Sequence, residues 1–225
     1  ASEATETETQ KVTEAPEEDL EAKADRLAAM YDYDAAIDLL KNSAGYDSNT
    51  ALQSKVSGYE ATKATCVEYP LEEVTHIFYH SLVKDTKRAF GPGDHTSGGI
   101  NQVMTTIEEF NKITQSMYEK GYVMVKLSDM ATFDENGNLV KGKIMLPPDK
   151  KPFVLSQDDV SYYHYQEGYG MADKLVVDEN GEVKTSYTED DGSVTIGNDD
   201  MVPLIDEFVK EHPDFLIAEQ KEHWQ

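Results

Sequence analysis

One stretch decides the fold of this chain: Lys151-Pro-Phe-Val-Leu-Ser-Gln-Asp-Asp-Val160. Its apolar run Phe153-Val154-Leu155 predicts a short buried strand. Asp158 and Asp159 therefore follow the carboxyl end of a strand, where α/β folds tend to carry their chemistry. One carboxylate there can bind a metal while its neighbour takes a proton. Because Asp is also common in turns and at helix N-caps, a purely structural role stays open for the pair.

Strands and helices alternate before this stretch. The β-branched and aromatic residues of 74–79 predict a strand. Thr106 and Glu109 have the spacing of a capping box, which predicts a helix over residues 107–120. Residues 122–125 predict the next strand. This alternation is typical of an α/β fold.

Turn signals divide the remainder of the chain. Residues 84–100 contain many glycines and charged residues, so we expect a long, mobile loop there. Residues 134–139 and 175–183 carry hairpin signatures. Residues 194–199 predict a Gly-bearing connector, and residues 202–211 predict a final amphipathic helix.

The N-terminal region differs in character from the rest. Residues 1–16 form an acidic, Thr-rich tail that lacks the apolarity to pack, so we expect disorder there. Residues 17–70 predict a helical hairpin with apolar residues at spacings of three and four. Its phrase Tyr33-Asp-Ala-Ala-Ile-Asp-Leu-Leu40 resembles one tetratricopeptide-type repeat. Since at least three such repeats are usually needed to bury their faces, we expect the hairpin to pack on a domain spanning residues 71–225.

The chain is strongly acidic. It has 20 Lys and Arg against 44 Asp and Glu, a formal net charge of -24 at pH 7. That charge argues against nucleic-acid binding and against docking on an anionic membrane surface. No stretch approaches the roughly 18 apolar residues of a membrane span, which predicts no transmembrane segment. The tail is typical of a tether that follows a removed export signal or an upstream lipid anchor, although a cloning boundary would look the same. We expect a secreted or cell-surface protein.

Four elements occur in a characteristic order. They are Phe78-Tyr79-His80-Ser81-Leu82, the capped helix start Thr105-Thr-Ile-Glu-Glu-Phe-Asn111, Met117-Tyr-Glu-Lys-Gly-Tyr-Val-Met-Val-Lys-Leu-Ser-Asp-Met130, and Lys151 to Asp159. In this order and spacing they resemble the polysaccharide deacetylases, the NodB-homology domain of carbohydrate esterase family four, and most of all their secreted Gram-positive branch. The resemblance covers roughly residues 74–160.

This resemblance implies a fold and a chemistry. The fold would be part of a distorted (β/α) barrel with its site at the carboxyl ends of the strands. The family's Thr-Phe-Asp-Asp-Gly motif falls on residues 156–160, which makes Asp158 the general base and Asp159 a metal ligand. Because a catalytic zinc usually takes three protein ligands, His80 could be a second one. The cofactor would be a divalent metal, zinc first of all, which acidifies its bound water and polarises the acetamide carbonyl. A nearby carboxylate then takes the water's proton. The implied reaction removes N-acetyl groups from a cell-envelope or extracellular polysaccharide.

The chain also departs from the family pattern. Gln157 and Val160 stand where the family has an aromatic residue and a Gly. The family's later His-x-x-x-His motif is missing after the acids, and only His76 and His80 have that spacing. His76 lies about 13 Å back along the strand, too far to share one ion with His80. We therefore expect these 225 residues to hold the N-terminal portion of the domain, with weak or no activity alone.

Aromatic residues flank the predicted site. Tyr79, Tyr162 and Tyr163 are candidate substrate-binding residues. The cluster Tyr162-Tyr163-His164-Tyr165 could form a sugar-stacking platform, or it could fill core or line an insertion. Two further functions stay open. The chain could be a non-catalytic carbohydrate-binding or envelope interaction module. It could also be a structural exported protein, in which the side chains of Asp158 and Asp159 would point into turns instead of converging with His80.

Overall fold

The structure is a computed structural model, and it describes residues 19–218. The predicted tail of residues 1–16 lies outside this range. The helices are α1 (Leu20–Ala29), α2 (Tyr33–Lys41), α3 (Thr50–Lys63), α4 (Thr86–Phe90), α5 (His95–Val103), α6 (Ile107–Glu119), α7 (Leu127–Met130) and α8 (Met201–Glu211). Within the described range, no helix combines the length and the apolar character that crossing a membrane requires. The strands are β1 (Val67–Glu68), β2 (Thr75–Tyr79), β3 (Tyr122–Met124), β4 (Ala131–Phe133), β5 (Leu139–Lys141), β6 (Met145–Leu146), β7 (Lys151–Gln157), β8 (Lys174–Val177), β9 (Val183–Thr188) and β10 (Val194–Gly197).

A parallel sheet in the order β2-β7-β3 carries the predicted site. The predicted strand before the acids is its central strand, and Tyr79 at the end of β2 pairs with Gln157 at the end of β7. The N–H of Ile217 donates to the carbonyl of Met124 at 3.0 Å, which covers the edge of β3. The fold is mixed α/β as predicted, but residues 19–218 form no closed barrel.

One face of this sheet packs on helices α6 and α8. Phe110 of α6, Phe153 of β7 and Phe215 after α8 are almost completely buried in a shared cluster. Helix α6 begins with the predicted capping box, because the side chains of Thr106 and Glu109 each bond the other residue's backbone N–H. Burial of large aromatic side chains at this interface fixes the helices against the sheet.

The N-terminal helices pack on the same body, as predicted. Leu40 and Val56 share one hydrophobic cluster with Val123 of β3 and Ile144. The predicted hairpin, however, is three helices. Tyr31 has a φ of +65°, which ends α1, and the Asp32 carboxylate caps α2 by accepting from the Ala35 N–H at 3.0 Å. A domain boundary at residue 70 stays a prediction.

Two predictions for the connecting segments are wrong. Residues 84–100 contain α4 and most of α5, and the N-caps of these helices are Asp85 and Asp94. Both carboxylates accept backbone N–H groups of the first turn, and this capping outweighs the high glycine content. The predicted connector of residues 194–199 contains β10, which pairs with β9 in the antiparallel sheet β10-β9-β8. The two predicted hairpins are confirmed as β4–β5 and β8–β9.

Strand β2 lies at an edge of the parallel sheet. Among residues 19–218, only β7 pairs with it. On its outer face the Phe78 ring is 56% exposed, and the rings of His76 and His80 lie 6.3 and 6.0 Å from it. This face of β2 is therefore more open than the faces that meet α6 and α8.

Candidate functional site

Three of the residues predicted for the site come together at the carboxyl end of the sheet. The ends of neighbouring parallel strands meet at one edge, and His80 and Asp159 follow β2 and β7 there. His80 Nε2 lies 3.9 Å from Asp159 Oδ2. The Tyr163 hydroxyl donates to Asp159 Oδ1 at 3.1 Å. The side chains of His80 and Asp159 are 24% and 38% exposed, so a ligand in solvent can reach both.

The bond to Tyr163 orients the Asp159 carboxylate. It also raises the pKa of the Tyr163 phenol, which therefore stays protonated and keeps donating. The Asp159 backbone has a φ of +55°, a left-handed conformation that Asp tolerates better than most residues. One oxygen of this carboxylate is thus held by the phenol, while the other faces the His80 ring.

The neighbouring Asp158 makes hydrogen bonds through both its backbone and its side chain. Its N–H donates to the Tyr79 carbonyl at 2.8 Å and so continues the β2–β7 pairing. Its Oδ1 accepts from the Asp159 N–H at 2.9 Å. Such a bond within a turn is expected if the protein has only a structural role. The Asp158 side chain nevertheless remains exposed to solvent. Its role as general base stays a prediction.

A buried carboxylate that sequence reasoning missed lies behind these residues. Asp200 is fully buried at the N-cap of α8. Its Oδ1 accepts from the N–H groups of Leu82 and Met201 at 3.0 and 2.8 Å. Its Oδ2 accepts from Gln157 Nε2 at 2.8 Å and from the Tyr162 hydroxyl at 2.7 Å. One side chain therefore joins the ends of β2 and β7, the loop after the acids and the start of α8. The Asp before an apolar helix signals a cap, but it does not reveal the distant donors.

Tyr162 faces this carboxylate and not the His80–Asp159 pair. Burial, followed by the charge and hydrogen bond of Asp200, raises the pKa of the Tyr162 phenol far above its ordinary value. The phenol is therefore always protonated as a donor. A φ of +47° at Tyr162 is unusual for an aromatic residue, and the bond to Asp200 holds it. Because its hydroxyl is bonded to Asp200, Tyr162 could contact a substrate only through its ring.

The remaining candidates take other partners. The Tyr79 ring packs on Phe110 with centroids 5.1 Å apart, and burial raises the pKa of its phenol. Its predicted contact with substrate stays a prediction. His76 Nε2 lies 2.9 Å from Ser156 Oγ on the outer face of the sheet. Neither residue contacts the His80–Asp159 pair through these bonds.

The described residues supply only part of a metal site. His80 Nε2 and Asp159 Oδ2 are donor atoms that zinc accepts, whereas a catalytic zinc usually takes three protein ligands and a water. No cluster of three or more His, Cys, Asp or Glu within residues 19–218 could hold a metal ion. The donor chemistry therefore fits a metal, but the ligand set in this part of the chain does not complete one.

No known protein family, curated protein or solved structure matches this chain. The deacetylase resemblance therefore rests on the motifs of the chain itself, above all Tyr79-His80 and Asp158-Asp159.

Proposed function

We propose that this chain carries part of the site of a metal-dependent hydrolase that removes N-acetyl groups from a polysaccharide. One observation carries the proposal: His80 Nε2 and Asp159 Oδ2 lie 3.9 Å apart at the ends of neighbouring parallel strands. Two side chains that are 79 positions apart in sequence converge at the carboxyl edge of the sheet, and this supports a shared role in binding a metal. The fold proposed with it is a partial (β/α) barrel of the polysaccharide deacetylase type.

Each residue has a distinct task in this proposal. Asp159 and His80 bind a divalent metal, and Asp158 is the base that removes a proton from the attacking water. When bound, the metal acidifies that water and polarises the acetamide carbonyl. Tyr163 holds Asp159 in the orientation that keeps Oδ2 toward His80. The proposal requires at least one further ligand from outside residues 19–218.

The charge of the chain bears on its substrate and location. A net charge of -24 repels anionic polymers, so a neutral N-acetylated polysaccharide suits it better. A substrate in the envelope or outside the cell requires an exported protein, and the acidic, Thr-rich start of the chain fits an extracellular tether.

Zinc titration by calorimetry tests the metal assignment directly. We expect Asp159→Asn to weaken zinc binding more than tenfold, since loss of even an outer-shell partner typically costs 10–100-fold. Asp47→Asn is the matched control, because Asp47 is an exposed Asp in the short turn before α3. Zinc affinity that is equal in wild type and Asp159→Asn contradicts the proposal.

Acetate release from an N-acetylglucosamine oligomer tests the reaction. We expect a weak rate with added zinc and none in Asp158→Asn or Asp159→Asn. A rate that both variants retain would show that the acids are not the catalytic groups.

A non-catalytic carbohydrate-binding module is the second candidate. The rings of Tyr163 and Tyr165 stack with centroids 5.5 Å apart and an interplanar angle of 18°, and Tyr165 is 60% exposed. Exposed aromatic faces of this kind can stack on sugar rings. This function predicts oligosaccharide binding that Tyr165→Ala abolishes while zinc affinity stays that of wild type.

A further inference from the structure

A cleft of about 870 Å³ lies beside the loop that carries the acids. One wall is the segment from Tyr162 to Met171, and the other is a face of the sheet β10-β9-β8. On that face Lys174, Ser186 and Ile196 form one cross-strand row. The volume lies in the upper part of the roughly 300–1,000 Å³ range of small-molecule sites.

The two walls are fixed to each other. The N–H groups of Lys84 and Asp85 both donate to the Gly170 carbonyl, at 2.9 and 3.0 Å, which anchors the loop to the start of α4. Arg88 of α4 then reaches β9, where Nη1 donates to the Thr188 carbonyl at 2.7 Å. The cleft is therefore preformed and needs no rearrangement to open.

The lining combines apolar surface with polar groups. Val194 and Ile196 are 60% and 56% exposed, so they present apolar surface to any ligand. Acidic, basic and hydroxyl-bearing residues all line the cleft. They include Arg88, Glu167, Asp173, Lys174, Ser186 and Thr188. Donors and acceptors around an apolar patch match a sugar ring, whose hydroxyls lie at its rim and whose C–H groups form its faces. Since charges of both signs line the cleft, it favours a neutral ligand over an anionic one.

The cleft adjoins the proposed site along the chain. Tyr162 lines the cleft, and the next residue, Tyr163, holds Asp159. We propose that the cleft binds neighbouring sugar residues of the same neutral polysaccharide whose acetamide reaches the His80–Asp159 pair. This assignment rests on the proposed function for the identity of the ligand.

The test is calorimetric titration of the full chain with a neutral N-acetylglucosamine tetramer in EDTA. Ile196→Asp should weaken binding at least tenfold, because it replaces the apolar patch with a charge. Val177→Asp is the matched control, since Val177 is a 69% exposed Val of the same sheet that does not line the cleft. That variant should stay within twofold of wild type. No binding by wild type, or equal weakening in both variants, overturns the subsite.

Two further arms use an acidic ligand and acetate release. A tetramer of uronic acids should bind at least tenfold more weakly than the neutral tetramer. Equal affinity for the acidic tetramer would overturn the subsite. If the tetramer binds in the cleft but no acetate is released, the proposed hydrolase function is contradicted and the subsite proposal stands.

Discussion

Replacement of Asp200 is the sharpest test of how this site is held together. Asp200→Ala removes an N-cap, which typically costs about 1 kcal/mol. It also leaves the Leu82 N–H, the Gln157 amide and the Tyr162 hydroxyl without their acceptor, at about 1–3 kcal/mol for each donor that stays buried. Movement of the loop after the acids would let water reach some of these donors, so the low end of this energy range applies to them. We expect a loss of about 3 kcal/mol in the free energy of unfolding.

The isosteric change should cost less. In Asp200→Asn the carbonyl still accepts the two backbone N–H groups, and the new amide faces Gln157 and Tyr162. Gln157 Oε1 is buried without a partner in the described structure, so rotation of its amide gives the new N–H group an acceptor. We expect a loss of about 1–2 kcal/mol, because neutral hydrogen bonds replace the four charge-assisted bonds that the carboxylate accepts.

Urea denaturation followed by circular dichroism measures both losses. Asp199→Ala is the control, since Asp199 is adjacent but pairs at 3.1 Å with Lys84 near the surface, and surface ion pairs contribute about 0–1 kcal/mol. If Asp200→Ala stays within 1 kcal/mol of the Asp199→Ala value, or if Asp200→Asn costs as much as Asp200→Ala, the reasoning is refuted.

Two other changes test the loop and the helix caps. A Cβ at Gly170 (φ +78°) would lie 2.3 Å from the Asp85 carbonyl oxygen, whereas one at Gly168 (φ +80°) would meet nothing within 4 Å. Urea denaturation should show that both Ala variants lose about 1–2 kcal/mol for the left-handed backbone. Gly170→Ala should lose about 1–3 kcal/mol more through the clash, and equal losses contradict this prediction. The hydrogen bond from the Ser97 N–H holds the pKa of Asp94 below its ordinary 3.8, so its contribution to stability is complete above pH 3.8 and is lost as the pH falls through the lowered value. Asp94→Asn keeps the cap without the charge, so denaturation across this window should show a wild-type advantage that vanishes in acid, and a pH-independent difference would refute it.

Sequence predicts the elements that local signals define. The pattern of Thr106 and Glu109 marks α6, and Asn180-Gly181 marks the β8–β9 turn, where Gly181 has a φ of +80°. The structure of the Gly-rich segment 84–100 is harder to predict. Asp85 and Asp94 signal the starts of two helices, but the glycines of the segment favour a loop. Local capping decided the structure there, and glycine content alone gives the wrong answer.

Tertiary contacts explain what sequence patterns do not show. Tyr31 ends α1 with a left-handed backbone, and its hydroxyl donates to the carbonyl of Asp214 at 2.8 Å, 183 positions away. The approach of His80 to Asp159 was predictable, since parallel strands end together. The contacts of Asp200 were not predictable. Its side-chain donors Gln157 and Tyr162 lie 43 and 38 positions upstream, and only tertiary packing brings them to it.

The open edge of β2 affects how the protein behaves at high concentration. In the part of the chain that the structure describes, β2 pairs with β7 on one edge alone, and Phe78 on it is exposed, so a second copy can add its own strand to the other edge. At neutral pH the net charge of -24 keeps molecules apart. Near the isoelectric point, about 4.4, that electrostatic repulsion disappears, and we expect self-association through β2 to increase. Purification and crystallisation are therefore best kept well above this pH.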